Sequence, residues 1–392
     1  MRGKLPNTWN RYFALIIGST LMTQLGMPII TPSFPAVQRA LGVPDADIGL
    51  IMAVYSLPAL VLVPLLGLVA DRFSKKWVVV PSLVLFTAGG FAFTAENFET
   101  LLWLRFIQGV GASGLSGIAL GLVGDYFRGE DRTRVLASAS FVQNVGSGVL
   151  PMIGGALVVI AWEVPYLASF LAVPLALFGL VIMKPGDNTR APGGRALLGH
   201  AWRNITDRRA LELMGMTGGF ILVGFGVFVT YIPTFLANNF ATGSFVIGLI
   251  VGARSVSGAV MSSQITRLMR AASPRWLIFS AFLVQSAGLA VVPVLPNDWS
   301  VMIAALCYGG AFGIVRPALQ IMMLENAPED LRATFGGGIA VSLRFAQTIG
   351  PFIAGLVIGA WGFGPLFFSA AVVPLLLALY ALRAEALRPA RS

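Results

Sequence analysis

The sequence predicts an all-α membrane protein: twelve transmembrane helices arranged as two pseudo-symmetric six-helix bundles. Three observations predict it. Hydrophobic residues make up 56% of the chain and charged residues only 11%, with a mean hydropathy of +0.81, whereas soluble domains carry about 25% charged residues. The 392 residues divide into apolar runs joined by short polar connections, and about 20 apolar residues suffice to cross a bilayer. The two halves also repeat at an offset of 200: Gly109 answers Gly309, Asp125 answers Glu325, Pro151 answers Pro351 and Gly155 answers Gly355. Such an internal repeat is what paired bundles related by an axis along the membrane normal leave in a sequence.

Taken in order, the expected helices span about 12–35, 47–70, 76–95, 98–126, 135–160, 163–183, 211–237, 244–268, 275–294, 299–325, 333–360 and 363–383. Helix 1 carries Gly26, Pro28, Pro32 and Pro35, helix 2 Pro58 and Pro64, and helix 11 Gly350, Pro351 and Gly355. Bends of this kind are tolerated where neighbours and water satisfy the freed backbone groups, as around a cavity. Helix 4 carries a seam of small residues, Gly109, Gly111, Gly114, Gly117, Gly121 and Gly124, suited to close helix packing. The stretch 184–210 holds Pro185, Pro192, Gly193, Gly194 and a cluster of bases, and reads as a cytoplasmic linker. The expected division is a bundle over 1–183, that linker, and a second bundle over 211–392.

Charge sets the expected orientation. With both termini in the cytoplasm, most of the 27 Lys and Arg fall on the cytoplasmic side, as the positive-inside rule requires. Arg39 alone falls outside, and Arg105, Arg254, Arg316 and Arg344 lie within helices. The net charge of +10 therefore reflects membrane topology; no basic stripe interleaved with aromatics points to nucleic acid. A single Cys307 and a lone His200 give no basis for a disulfide, a metal site or a cofactor. No Ser/His/Asp constellation suggests an enzyme. A monomer in the cell membrane, without a cleavable signal peptide, is expected.

The connection between helices 2 and 3 places Gly67, Asp71, Arg72, Lys75 and Lys76 between two apolar runs. A tight turn on the positive side of a membrane needs this pattern. The string is similar to the loop pattern G-x-L-A-D-R-x-G-R-K of the major facilitator superfamily, with Val69, Ser74 and Lys75 departing from it. Helix 4 adds Arg105, Gln108, Gly109 and Gly111, which resemble the superfamily pattern R-x-x-Q-G-x-G at every defined position. Helix 5 adds Gly146, Pro151, Gly154 and Gly155, similar to the G-x-x-x-G-P-x-x-G-G pattern of its antiporters and drug exporters, with Leu150 where a Gly is expected. The resemblance covers essentially the whole chain. It implies a secondary transporter working by alternating access, in which Asp71 latches against Arg128 or the helix-11 end, and Arg72 against Asp125 or Glu130. The plain physical alternative is a solvated charge cluster, in which each exposed pair contributes about 0–1 kcal/mol.

Polar residues within apolar helices mark the expected cavity. Gln24, Gln143, Asn144, Gln320 and Gln347 are candidates to line it, or to bond helix to helix. Arg105 belongs on a cavity or a partner, unless it snorkels to the interface. Arg254 and Arg344 each lie about ten residues into their helices, hence about 15 Å deep, and are expected to face each other across the cavity. Arg316, beside Pro317, extends the same positive path or pairs with Glu325. No Asp or Glu falls near the midplane. Two functions follow as expectations: an efflux antiporter exporting drugs or other small molecules with a coupling proton, or an organic-anion transporter using the buried arginines.

Overall fold

The computed structural model describes residues 7–72, 74–183, 208–326 and 332–387, with their side chains except at 7–9, 64, 67–68, 71–72, 117–120, 326 and 332–340. Among the described residues every regular element is helical. Helix 1 comes in two pieces, Asn7–Leu25 and Phe34–Leu41. Helices 2 to 6 follow as Leu50–Arg72, Lys76–Thr94, Phe98–Tyr126, Gly129–Val158 and Val164–Ile182. Helices 7 to 12 are Arg208–Phe240, Ser244–Ser263, Pro274–Val294, Asp298–Asn326, Arg332–Trp361 and Phe363–Ala381. Helices 3 to 12 are long and apolar enough to cross a membrane, and helix 2 carries the shorter apolar stretch Leu50–Val63.

Several boundaries differ from expectation; helix 5 begins at Gly129 rather than near 135, and three further departures have a local setting. Helix 1 is interrupted over 26–30, where Gly26 and Pro28 sit, and resumes through a tight turn at Thr31–Ser33. A proline removes a backbone donor and its ring crowds the preceding turn. Helix 7 already begins at Arg208, inside the expected linker; the rest of that linker, 184–207, lies outside the described residues. Helix 8 ends at Ser263, and a separate short helix, Ile265–Ala271, continues from it. Helix 7 is also wound more loosely over Gly224–Val229, a π-helical turn in which the Thr230 hydroxyl donates to the Phe225 carbonyl at 2.7 Å.

The packing repeats between halves. Helix 2 lies against helix 4 as helix 8 lies against helix 10; helix 3 meets helix 6 as helix 9 meets helix 12; helix 1 meets helix 5 as helix 7 meets helix 11. Two glycines make one of these crossings possible. A side chain at Gly109 would collide with the Tyr55 carbonyl of helix 2, and one at Gly309 with the Arg254 carbonyl of helix 8. Across the boundary between halves, helix 5 packs on helix 8 and helix 2 on helix 11. The bundles are thus joined by two equivalent seams, with room left between them.

Candidate functional site

That room is a cavity of about 490 Å³. Helices 1, 2, 4 and 5 of one half and 7, 8, 10 and 11 of the other form its wall. The wall carries Gln24, Gln143, Asn144, Arg254, Arg316, Arg344 and Gln347, together with Gln320. It carries no Asp or Glu among the described residues. Arg254, Arg316 and Arg344 all belong to the C-terminal half. The positive charge therefore gathers on one half of the cavity rather than being split between facing halves.

The cavity extends from the middle of the bundle toward the end bearing the 2–3, 4–5 and 8–9 connections, as far as Val123 and Leu136. At the opposite end the halves touch. The Tyr231 hydroxyl of helix 7 lies 3.1 Å from the Ala46 carbonyl and 3.2 Å from the Pro351 carbonyl. Asp45 accepts hydrogen bonds from Asn238 Nδ2 at 3.0 and 3.1 Å and from Gln38 Nε2 at 2.8 Å. Gly155 sits on the Ser244 carbonyl, and its repeat partner Gly355 on the Ala46 carbonyl; a methyl group at either would collide. Both seams are tight here because glycine lets backbone meet backbone.

Arg254 is buried among three rings, 4.6 Å from the centroid of Phe312, 5.3 Å from Phe228 and 5.8 Å from Tyr308. Aromatic faces attract a cation, which offsets part of the cost of desolvating it. Its Nε has no hydrogen-bond partner, and no carboxylate pairs with it among the described residues. Arg344 Nη1 donates to Gln347 Oε1 at 3.3 Å. Arg316 is exposed to the cavity, and no ion pair joins it to Glu325 among the described residues.

Arg105 takes the other course open to it. It is fully buried and absent from the cavity wall. Nη2 donates to the Gly26 carbonyl, freed by the break in helix 1, at 2.7 Å; Nη1 donates to Gln108 Oε1. Gln108 Nε2 in turn donates to Ser169 Oγ of helix 6 at 2.8 Å, and the guanidinium lies 4.3 Å from the Tyr55 ring centroid. This group ties helix 4 to helices 1, 2 and 6. Gly111 seats helix 4 against the backbone of helix 3.

In helix 5, Gly146 lies over the Gln24 side chain, Gly154 over the Ile29 carbonyl, and the Pro151 carbonyl fits against Gly248 of helix 8. Gly146 and Gly154 thus seat helix 5 on helix 1 of its own half, while Pro151 and Gly155 form the seam with the other half, and Pro151 also reaches the cavity. At the basic end, Lys75 Nζ pairs with Asp125 and donates to the Gly121 carbonyl at 2.8 Å. Lys76 Nζ donates to the Leu180 carbonyl at 2.7 Å. Arg128 and Glu130 are exposed, with no ion pair among the described residues. Gly67 falls within helix 2, and the side chains of Asp71 and Arg72 lie outside the described residues.

Sequence reasoning passed over Tyr55, Phe228, Tyr308 and Phe312, because an aromatic residue in an apolar helix gives no contrast. It also passed over the contact of Asp45 with Asn238, whose partners stand 193 residues apart.

A family model described as Major Facilitator Superfamily matches residues 16–339 and 214–392. The chain is 24% identical over 371 residues to a quinolone resistance protein, NorA, of Staphylococcus aureus (strain COL), covering 93% of this chain and 94% of that protein. It is 30% identical over 155 residues to the bacillibactin exporter of Bacillus subtilis (strain 168), covering 37% of this chain and 38% of that one. Among solved structures it is similar to a bacterial homologue of the human lysosomal transporter Spinster in an inward-facing, unoccupied conformation. The TM-score is 0.80 at 15% identity, over 99% of this chain and 100% of that one.

Proposed function

The chain belongs to the major facilitator superfamily and is a multi-pass secondary transporter, and from that premise we propose that it works as an efflux antiporter for small organic molecules. The observation that supports this best is the cavity itself. Both halves wall it with equivalent helices, and contacts between the halves shut it at one end. Rocking the halves about a central site is how repeat-built transporters expose it to each side in turn. Export is favoured by the helix-5 pattern around Pro151 and by relatives named for quinolone resistance and bacillibactin export. With the basic connections in the cytoplasm, both termini are cytoplasmic and the cavity opens inward, ready to load.

In this reading Tyr231 and the Asp45–Asn238 contact form the outer seal. The 2–3 connection, through Asp71 and Arg72 with Lys75 and Asp125, closes the inner side when the outer seal opens. A carboxylate-free wall leaves a coupling proton to be carried outside the cavity. Organic-anion exchange is the second reading, favoured by three arginines on a wall without a carboxylate. A counterflow assay in proteoliposomes tests both. Cationic, neutral and anionic compounds are compared with and without an imposed pH gradient. Absence of flux for every class would refute the transport reading; flux indifferent to the gradient would refute proton coupling.

A further inference from the structure

The two walls of the cavity differ in their hydrogen-bonding chemistry. The C-terminal wall offers donors: the guanidinium groups of Arg254, Arg316 and Arg344 have no acceptor capacity. The Arg254 Nε, buried, still lacks a partner, and an unmet buried donor is costly. Among the described residues the N-terminal wall carries no charge. Three of its hydroxyls spend their protons on their own helix: Thr23 on the Thr20 carbonyl at 2.7 Å, Ser113 on the Gly109 carbonyl at 2.7 Å, and Ser147 on the Gln143 carbonyl at 2.7 Å, with Gln24 Oε1 also 3.2 Å from Ser147; Ser56 Oγ, buried on the same wall, has no partner. What they keep free is lone pairs. Gln143 and Asn144, exposed beside them, add amides that can accept or donate.

A compound that satisfies both walls has an anionic acceptor group at one end and hydrogen-bond donors at the other. We infer that this cavity is built for a hydroxylated organic anion, its negative group held by Arg254 and Arg344 and its hydroxyl-bearing body by the helix-1, helix-4 and helix-5 wall. This rests on the reading of the cavity as a transport site and narrows it to a substrate class. A lipophilic cation would meet three like charges on one wall. A bare apolar anion would leave the other wall's lone pairs dry and unpaired. Phe225 and Phe312 on the C-terminal side of the wall offer an aromatic part of the cargo apolar faces to pack on.

Three fluorescent probes with one aromatic core separate the contributions. Methylumbelliferyl glucuronide carries charge and hydroxyls, the glucoside hydroxyls without charge, and the sulfate charge without hydroxyls. Counterflow in proteoliposomes is expected to favour the glucuronide over each of the others by about tenfold, the size of one charge-assisted hydrogen bond. Arg254→Gln or Arg344→Gln should erase the glucuronide's advantage over the glucoside, read as the ratio of the two fluxes within each variant. A Ser147→Ala, Gln143→Ala double variant should erase the advantage over the sulfate. Raised melting temperature of the detergent-purified protein in glucuronide, lost in Arg344→Gln, gives a readout independent of flux. Glucoside or sulfate moving as fast as glucuronide would overturn the inference. So would flux of a cationic dye alone, though the export reading would then survive. Failure of every probe and the dye would overturn both.

Discussion

Tyr231 and Ala46 belong to different halves of the chain, and the tyrosine hydroxyl meets the alanine carbonyl at 3.1 Å where the cavity is shut. The Pro351 carbonyl lies 3.2 Å from the same hydroxyl, at the bend of helix 11. One buried side chain thus holds two elements that must separate for this end of the cavity to open.

Removing that hydroxyl should shift the resting equilibrium. Tyr231→Phe keeps the ring packing and loses about 1 kcal/mol of net hydrogen bonding, a roughly fivefold change in the ratio of the two conformations. Asn238→Ala should act in the same direction through Asp45. Distance distributions between spin labels at the outer ends of helices 2 and 8 would report it. An unchanged distribution in both variants would mean that the seal resides in the glycine seams alone.

Those seams make the opposite kind of prediction. Gly155→Ala and Gly355→Ala each place a methyl group against a backbone carbonyl across the boundary, and backbone cannot move aside as a side chain can. Each variant should favour the outward-open form and slow turnover at least about tenfold, with equal effect in the two halves. A large effect from one and none from the other would show that the seams are not mechanically equivalent.

Arg105 and Arg254 should respond differently to lysine. Arg105→Lys loses the planar fork that reaches both Gly26 and Gln108, at a cost of about 2 kcal/mol in stability. Because Arg105 is off the cavity wall, substrate preference should not change. Arg254→Lys should weaken binding of anions with the protein still folded. Thermal midpoints and competition assays on the two variants check this; altered selectivity in Arg105→Lys would place that residue in the binding site after all.

At the basic end, Asp71→Asn should cripple transport with expression nearly intact, since a latch acts on an equilibrium rather than on packing. Asp125→Asn should in addition lower stability by about 1 kcal/mol, because the partly buried Lys75 loses its counter-charge. Full transport in Asp71→Asn would show that Lys75 and Asp125 hold the turn without its help.

Much of the architecture could be read before any coordinates. The repeat linking Gly109 with Gly309 and Gly155 with Gly355 marks crossings that recur in both halves, because close backbone approach leaves only glycine as a solution. The cavity wall was legible wherever a residue was out of place in an apolar helix, as Arg254, Arg344 and Gln143 are. What stayed hidden depended on pairing distant positions. Gly26 and Arg105 were each conspicuous, yet nothing in the order of residues says that a carbonyl freed in helix 1 accepts from helix 4. Tyr308 looks like any apolar-helix aromatic until Arg254 is set beside it.

The carboxylate-free wall has an electrical consequence. Arg254, Arg316 and Arg344 make the empty cavity positive, and a full elementary charge crossing a membrane is worth about 2.3 kcal/mol per ~100 mV. Even a fraction of that displacement couples the empty carrier to voltage. In the orientation proposed above, an inside-negative potential would hold the vacant cavity toward the cytoplasm. Under the inferred anionic cargo, binding would cancel charge, loosen that hold and let the loaded carrier turn, and the membrane potential would act as a ratchet on the return stroke.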